Sequence, residues 1–123
     1  MPNKKILIAD DEPYILRSLS FVLKKEGFDV EIAYNGEKAL EKAQQFNPKI
    51  LFLDVMMPIK DGYEVCKKLK SNPETKDIYI IMLTAKGQII DKEKGLTIGS
   101  DEYITKPFSP REIVNKVKKI MES

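Results

Sequence analysis

Short apolar runs alternate with longer amphipathic stretches five times along the chain. The runs lie near 4–9, 28–33, 49–53, 78–83 and 101–105. The first four are aliphatic or β-branched with little alternation, the pattern of strands covered on both faces. The fifth is shorter and more polar, which suits a sheet edge. The first stretch between them, 12–26, carries Ile15, Leu16, Leu19, Val22 and Leu23, the stripe of a helix with one buried face. Pro13 suits its first turn and Gly27 its C-terminal cap. Stretches 36–46, with Ala39, Leu40, Ala43 and Phe46, and 62–71, with Val65 and Leu69, read the same way. The fourth, 88–97, is sparser: Ile89, Ile90 and Leu96, interrupted by Gly95. The fifth opens on Ser109-Pro110-Arg111-Glu112, a capping box with proline at the first helical position, and then buries Ile113, Val114, Val117, Ile120 and Met121.

Five strand-helix units with short connections predict an α/β fold, a doubly wound parallel sheet with helices on both faces. Right-handed crossovers place the C-terminal ends of all strands on one edge, where such sheets bind ligands. A chain of 123 residues fits one domain, 1–123, and is too short for two.

Composition narrows the function mainly by exclusion. Hydrophobic content of 42% supports a packed core. The net charge is +2, from 21 basic and 19 acidic residues, so charge gives no argument for direct nucleic-acid or membrane binding. No apolar run approaches the roughly 20 residues of a membrane span, and the start is too short for a signal peptide; the expectation is a cytoplasmic protein. Cys66 is the sole cysteine, so no internal disulfide forms, and it reads as a buried thiol. There is no histidine, which rules out histidine-based catalysis and histidine-ligated metals.

Five polar residues stand just past the ends of the predicted strands. Asp10 and Asp11 follow the first run, Asp54 the third, Thr84 the fourth and Lys106 the fifth. If those strands are parallel neighbours, three acids, a hydroxyl and an amine meet at one edge. One of the paired acids could simply cap the next helix. Asp54 has no helix start directly after it. Two carboxylates about 5 Å apart repel by about 3 kcal/mol at an effective dielectric of 20. A third makes a compensating cation the natural partner. Hard oxygen ligands favour Mg²⁺ or Mn²⁺, with waters and phosphate oxygens completing the shell. Thr84 and Lys106 suit a phosphoryl oxygen, and Asp54 suits the role of nucleophile that accepts the group. Pro107 allows a cis Lys106–Pro107 bond, which would set the direction of the lysine.

The motifs Ala9-Asp10-Asp11-Glu12, Leu53-Asp54-Val55-Met56-Met57-Pro58 with Asp61-Gly62, Leu83-Thr84-Ala85-Lys86 and Tyr103-Ile104-Thr105-Lys106-Pro107-Phe108 occur in that order. With them the chain resembles, over its whole length, the receiver domain of bacterial two-component response regulators. The resemblance implies a flavodoxin-like receiver fold with strand order 2-1-3-4-5. It implies that Asp54 is phosphorylated from a phosphohistidine of a sensor histidine kinase or phosphotransfer protein. It implies Mg²⁺ held by Asp11, Asp54 and the Met56 backbone carbonyl, with Asp10 acting mainly through water. The phosphoryl group would meet Thr84, the Ala85 backbone amide and Lys106. Thr84 and Tyr103 would be the switch residues, altering the surface of the fourth helix, fifth strand and fifth helix. On this reading the protein is a phosphoacceptor switch that assists its own phosphorylation and dephosphorylation, and not an enzyme with an outside substrate. Met56 and Lys86 fall where side chains tune dephosphorylation.

The chain stops at Ser123, just after the fifth predicted helix, so no output domain is expected within it. A stand-alone receiver and part of a longer regulator stay open, and the downstream effector is unknown. Lys106 to Glu112 looks like receivers that precede winged-helix DNA-binding domains. In that branch the face from fourth to fifth helix forms a homodimer through ion pairs, to which Lys92, Glu112 and Lys116 would contribute. Three rivals fare worse. An aspartyl-phosphate phosphatase wants an acid two residues after the nucleophile, where Met56 stands and transfers no proton. A dinucleotide site wants a glycine-rich turn after the first strand, where Ala9-Asp10-Asp11-Glu12 would repel phosphates. An interaction module that is never phosphorylated would not need the complete acid, hydroxyl and amine set.

Overall fold

The computed structural model describes residues 3–57, 59, 61–84 and 100–122. The strands are β1 (Lys5–Ala9), β2 (Asp29–Ala33), β3 (Ile50–Asp54), β4 (Tyr79–Thr84) and β5 (Glu102–Thr105). All pair in parallel, in the order β2-β1-β3-β4-β5. The described helices are α1 (Pro13–Lys25), α2 (Gly36–Phe46), α3 (Gly62–Lys70) and α4 (Pro110–Met121). The doubly wound α/β arrangement expected from the sequence is the one found. The helix expected over 88–97 lies outside the described residues, so α4 is the fifth of the predicted series.

The uninterrupted apolar runs have a direct cause. Successive residues of a strand point to opposite faces, and here both faces are covered. From β1, β3 and β4, residues Leu7, Ala9, Leu51, Leu53, Ile80 and Met82 join Ala39 and Ala43 of α2 and Val65, Cys66 and Leu69 of α3. The alternate residues Ile6, Ile8, Ile50, Phe52, Ile81 and Leu83 join Leu16, Leu19 and Leu23 of α1 and Ile113 and Val117 of α4. The two strands with a neighbour on one side only differ. In β2, Glu31 and Ile32 are exposed, and β5 is only partly buried. The expectation that the second run is covered on both faces therefore fails, because β2 is an edge.

Caps fix where the helices end. Gly27 takes φ 94°, and the Gly27 and Phe28 amides donate to the carbonyls of Lys24 and Leu23. This is the left-handed termination that glycine makes cheap, with Phe28 folding back beside Leu23 in the core. The Asn35, Asp61 and Ser109 side chains each accept an amide of the first turn of α2, α3 and α4. Among the described residues, no helix is long and apolar enough to cross a membrane.

Candidate functional site

Register brings the candidate residues together. Ala9 pairs with Leu53, so Asp10 and Asp54 stand one step beyond at the same level. Asp54 pairs with Leu83, and Thr84 with Thr105, so Thr84 and Lys106 continue the row along the same edge. Asp54 and Thr84 are the last residues of their strands, while Asp10, Asp11 and Lys106 lie just past theirs.

One carboxylate oxygen from each of Asp10, Asp11 and Asp54 lies within 4.8 Å of the others. Asp10 is fully buried, Asp54 is 6% exposed and Asp11 is exposed. The Lys106 ammonium is 2.8 Å from Asp10 Oδ2 and 3.6 Å from both Asp54 Oδ2 and Glu12 Oε1. The Asp10 contact is an ion pair, not a well-aligned hydrogen bond, and that oxygen has no other partner among the described residues. One cation among the described residues therefore serves three acids, with Asp11 close beside two of them. Burial first, and then Asp10, push the Asp54 carboxyl up to about 7, while Lys106 and the Met56 amide pull it down. Burial alone would lower the Lys106 ammonium, but Asp10, Asp54 and Glu12 hold it above its usual range.

Local bonds hold this geometry. The Asp10 amide donates to Ala33 O at 3.0 Å, and Asp10 Oδ1 accepts the Glu12 amide at 2.9 Å. Asp54 Oδ1 accepts the Met56 amide at 3.2 Å. The Lys106 amide donates to Thr84 O at 2.6 Å, and the Lys106–Pro107 bond is cis. The Thr84 hydroxyl is buried and has no hydrogen-bond partner among the described residues. The capping alternative for the acid pair finds no support, since the α1 N-cap is Glu12, without a side-chain cap bond.

The donor set fits a small hard cation: oxygen atoms only, converging, and short of positive charge. An unpartnered hydroxyl and an ammonium complete an anion-accepting rim. Tyr103 is half-buried in the middle of β5. Ala85, Lys86, Lys92 and Pro58 lie outside the described residues. Lys116 pairs within the chain to Glu102, which also accepts the Tyr79 hydroxyl. Glu112 is exposed, and the Cys66 thiol is buried and pushed up to about 12 by burial, hence inert.

Two contributors carried no role in the sequence reading. Glu12 is a third acid around Lys106. Gly62 donates its amide to Val55 O at 2.8 Å, and a Cβ there would lie 2.3 Å from Asp54 O. Only glycine lets the first turn of α3 approach the acceptor strand so closely. The signal for it was a glycine directly after a helix-capping aspartate.

Comparison with known proteins agrees with this geometry. Residues 6–118 match the family model described as the response regulator receiver domain. The chain is 49% identical over 120 residues to the alkaline phosphatase synthesis transcriptional regulatory protein PhoP of Bacillus subtilis (strain 168), covering 97% of this chain and 49% of that protein. It thus spans about half the length of that curated relative. A putative response regulator from Chloroflexus aurantiacus J-10-fl has a TM-score of 0.88 at 39% identity, covering 100% of both chains. The BeF3-activated DrrB receiver domain has a TM-score of 0.83 at 32% identity, covering 98% of this chain and 99% of that one.

Proposed function

This chain belongs to the response regulator receiver domain family, and we propose from that premise that residues 1–123 are one receiver whose phosphoacceptor is Asp54. The carrying observation is the unbalanced charge at the strand ends: three carboxylates converge within 4.8 Å, and Lys106 alone among the described residues opposes them. A donor phosphohistidine, on a sensor histidine kinase or phosphotransfer protein, would present phosphorus to an Asp54 oxygen. A P–O bond forms there as the P–N bond to the donor breaks, and the imidazole leaves with a proton. Lys106 offsets the added charge, and the unpartnered Thr84 hydroxyl donates to a phosphoryl oxygen, as would the Ala85 amide. Mg²⁺ or Mn²⁺, held by Asp11, Asp54 and the Met56 carbonyl and through water by Asp10, would supply the remaining neutralisation. Hydrolysis of the acyl phosphate at the same site resets the switch.

The added group carries roughly two negative charges. It biases the domain by its differential interaction with two arrangements of Thr84 and Tyr103. The altered surface would be β5, α4 and the segment between β4 and β5, read by a downstream effector or a second copy of the chain. Cytoplasmic placement follows from the kinase partnership. The test is mass spectrometry after incubation with Mg²⁺ and acetyl phosphate or phosphoramidate. One phosphoryl group, about 80 Da, should add to the wild type and none to Asp54→Asn. Equal labelling of the two would overturn the assignment.

A further inference from the structure

Helix α1 starts without the side chain that would best suit its start. Its N-cap is Glu12, extended at φ −91° and ψ 112°, and the Glu12 side chain caps no amide. Short acceptors such as serine or aspartate are the residues that stabilise this position. The backbone supplies the remaining contacts: the Glu12 carbonyl accepts the Leu16 amide at 3.2 Å, the Glu12 amide donates to Asp10 Oδ1 at 2.9 Å, and Pro13 follows with no amide to satisfy. Capping therefore does not account for a glutamate here.

The carboxylate turns to the site instead. Glu12 Oε1 lies 3.6 Å from Lys106 Nζ, and the Glu12 side chain is 58% exposed against 12% for Lys106. The other two acids on this ammonium, Asp10 and Asp54, are buried. They hold the lysine from inside, and Glu12 holds it from the water side. A phosphoryl oxygen arriving at Asp54 needs the same ammonium. Glu12 is the partner that releases it at least cost, because its carboxylate returns to water and the buried pair cannot.

We propose that Glu12 is a positioning residue acting through Lys106: it draws the ammonium towards the mouth of the site and competes with the phosphoryl group for it. The inference rests on the reading of Asp54 as phosphoacceptor. The competition weighs against the modified state, so a donor must both present phosphorus and win the lysine from Glu12.

The test is the affinity of the chain for beryllofluoride, a mimic of a phosphoryl group on Asp54, read by NMR titration at saturating Mg²⁺. Glu12→Gln keeps the length and removes the charge. It should tighten binding about three-fold, the scale of a partly exposed ion pair, with little change in melting temperature. Glu12→Asp keeps the charge, falls short of Lys106 and is able to cap α1. It should tighten binding likewise while raising the melting temperature. On a Lys106→Met background, Glu12→Gln should leave the affinity unchanged. Equal tightening with and without Lys106 is plain repulsion between carboxylate and anion, and overturns the proposal. Unchanged affinity in Glu12→Gln overturns it too, as does Glu12→Asp binding like wild type. Where Lys106→Met binds too weakly to titrate, Glu12→Asp decides alone. A wild type that binds no beryllofluoride sinks the Asp54 reading, and this inference with it.

Discussion

The two ends of the sheet each hold a lysine paired to acid, a single aspartate at one end and three acids at the other, and they treat it oppositely. At the N-terminal end, Lys70 donates to Lys76 O, Ile78 O and Asp101 Oδ2 at 3.1, 2.6 and 3.0 Å. Asp101 Oδ2 also accepts the Ile80 amide at 2.8 Å, and the buried Thr75 hydroxyl donates to Leu69 O at 2.7 Å. The ammonium uses its three donors, and the buried threonine has a partner. At the C-terminal end, Lys106 is shared among Asp10, Glu12 and Asp54, and the buried Thr84 hydroxyl has no partner among the described residues. The same residue types give a closed structural clamp at one end and an open deficit at the other. A fold that can satisfy its polar groups where it needs only rigidity leaves them unsatisfied where something else is to bind.

The contrast can be broken most directly by deleting each lysine. Lys106→Met leaves fully buried Asp10 beside Asp54 without a cation, and should cost the metal-free protein about 3 kcal/mol in urea unfolding. Lys70→Met should cost less, about 1–2 kcal/mol, because Asp101 keeps the Ile80 amide and reaches water. Equal losses would erase the distinction between the two ends.

Acidity sharpens it further. The folded protein holds the Asp54 proton up to about 7, against an ordinary 3.8. Below about pH 4 this group's contribution to stability is fully present, because both states are protonated there. It is lost progressively as pH rises from about 4 towards 7, because the unfolded chain then releases the proton freely while the folded state must keep it. Wild type should therefore lose stability relative to Asp54→Asn across that window, followed by thermal unfolding without metal. Parallel curves for the two proteins would contradict the raised value.

Smaller effects follow from the ion. Mg²⁺ at ten times its dissociation constant should stabilise the protein by about 1.4 kcal/mol, a melting shift of a few degrees. Asp11→Asn should remove most of that shift while raising metal-free stability by less than about 1 kcal/mol, since it relieves like-charge repulsion. Strong destabilisation of the metal-free variant would instead give Asp11 a structural role at the entry to α1.

The strand runs, four of the five helical stripes, the caps at Gly27 and Ser109 and the five polar residues at strand ends were all legible in the sequence. Each is a local property: periodicity records which way successive side chains point, and a cap concerns a few neighbouring groups. What each group experiences was not legible. Sheet order and register decided that Asp10 stands level with Asp54, that Glu31 and Ile32 lie on an open edge, and that Lys116 turns to Glu102. They also decided that Gly62 presses on the acceptor strand. Proton affinity and ion pairing sum over groups distant in sequence and depend steeply on separation and on water excluded by packing. The chain order therefore determined which chemical groups were available, and only the tertiary structure decided which of them would be left in want of a partner.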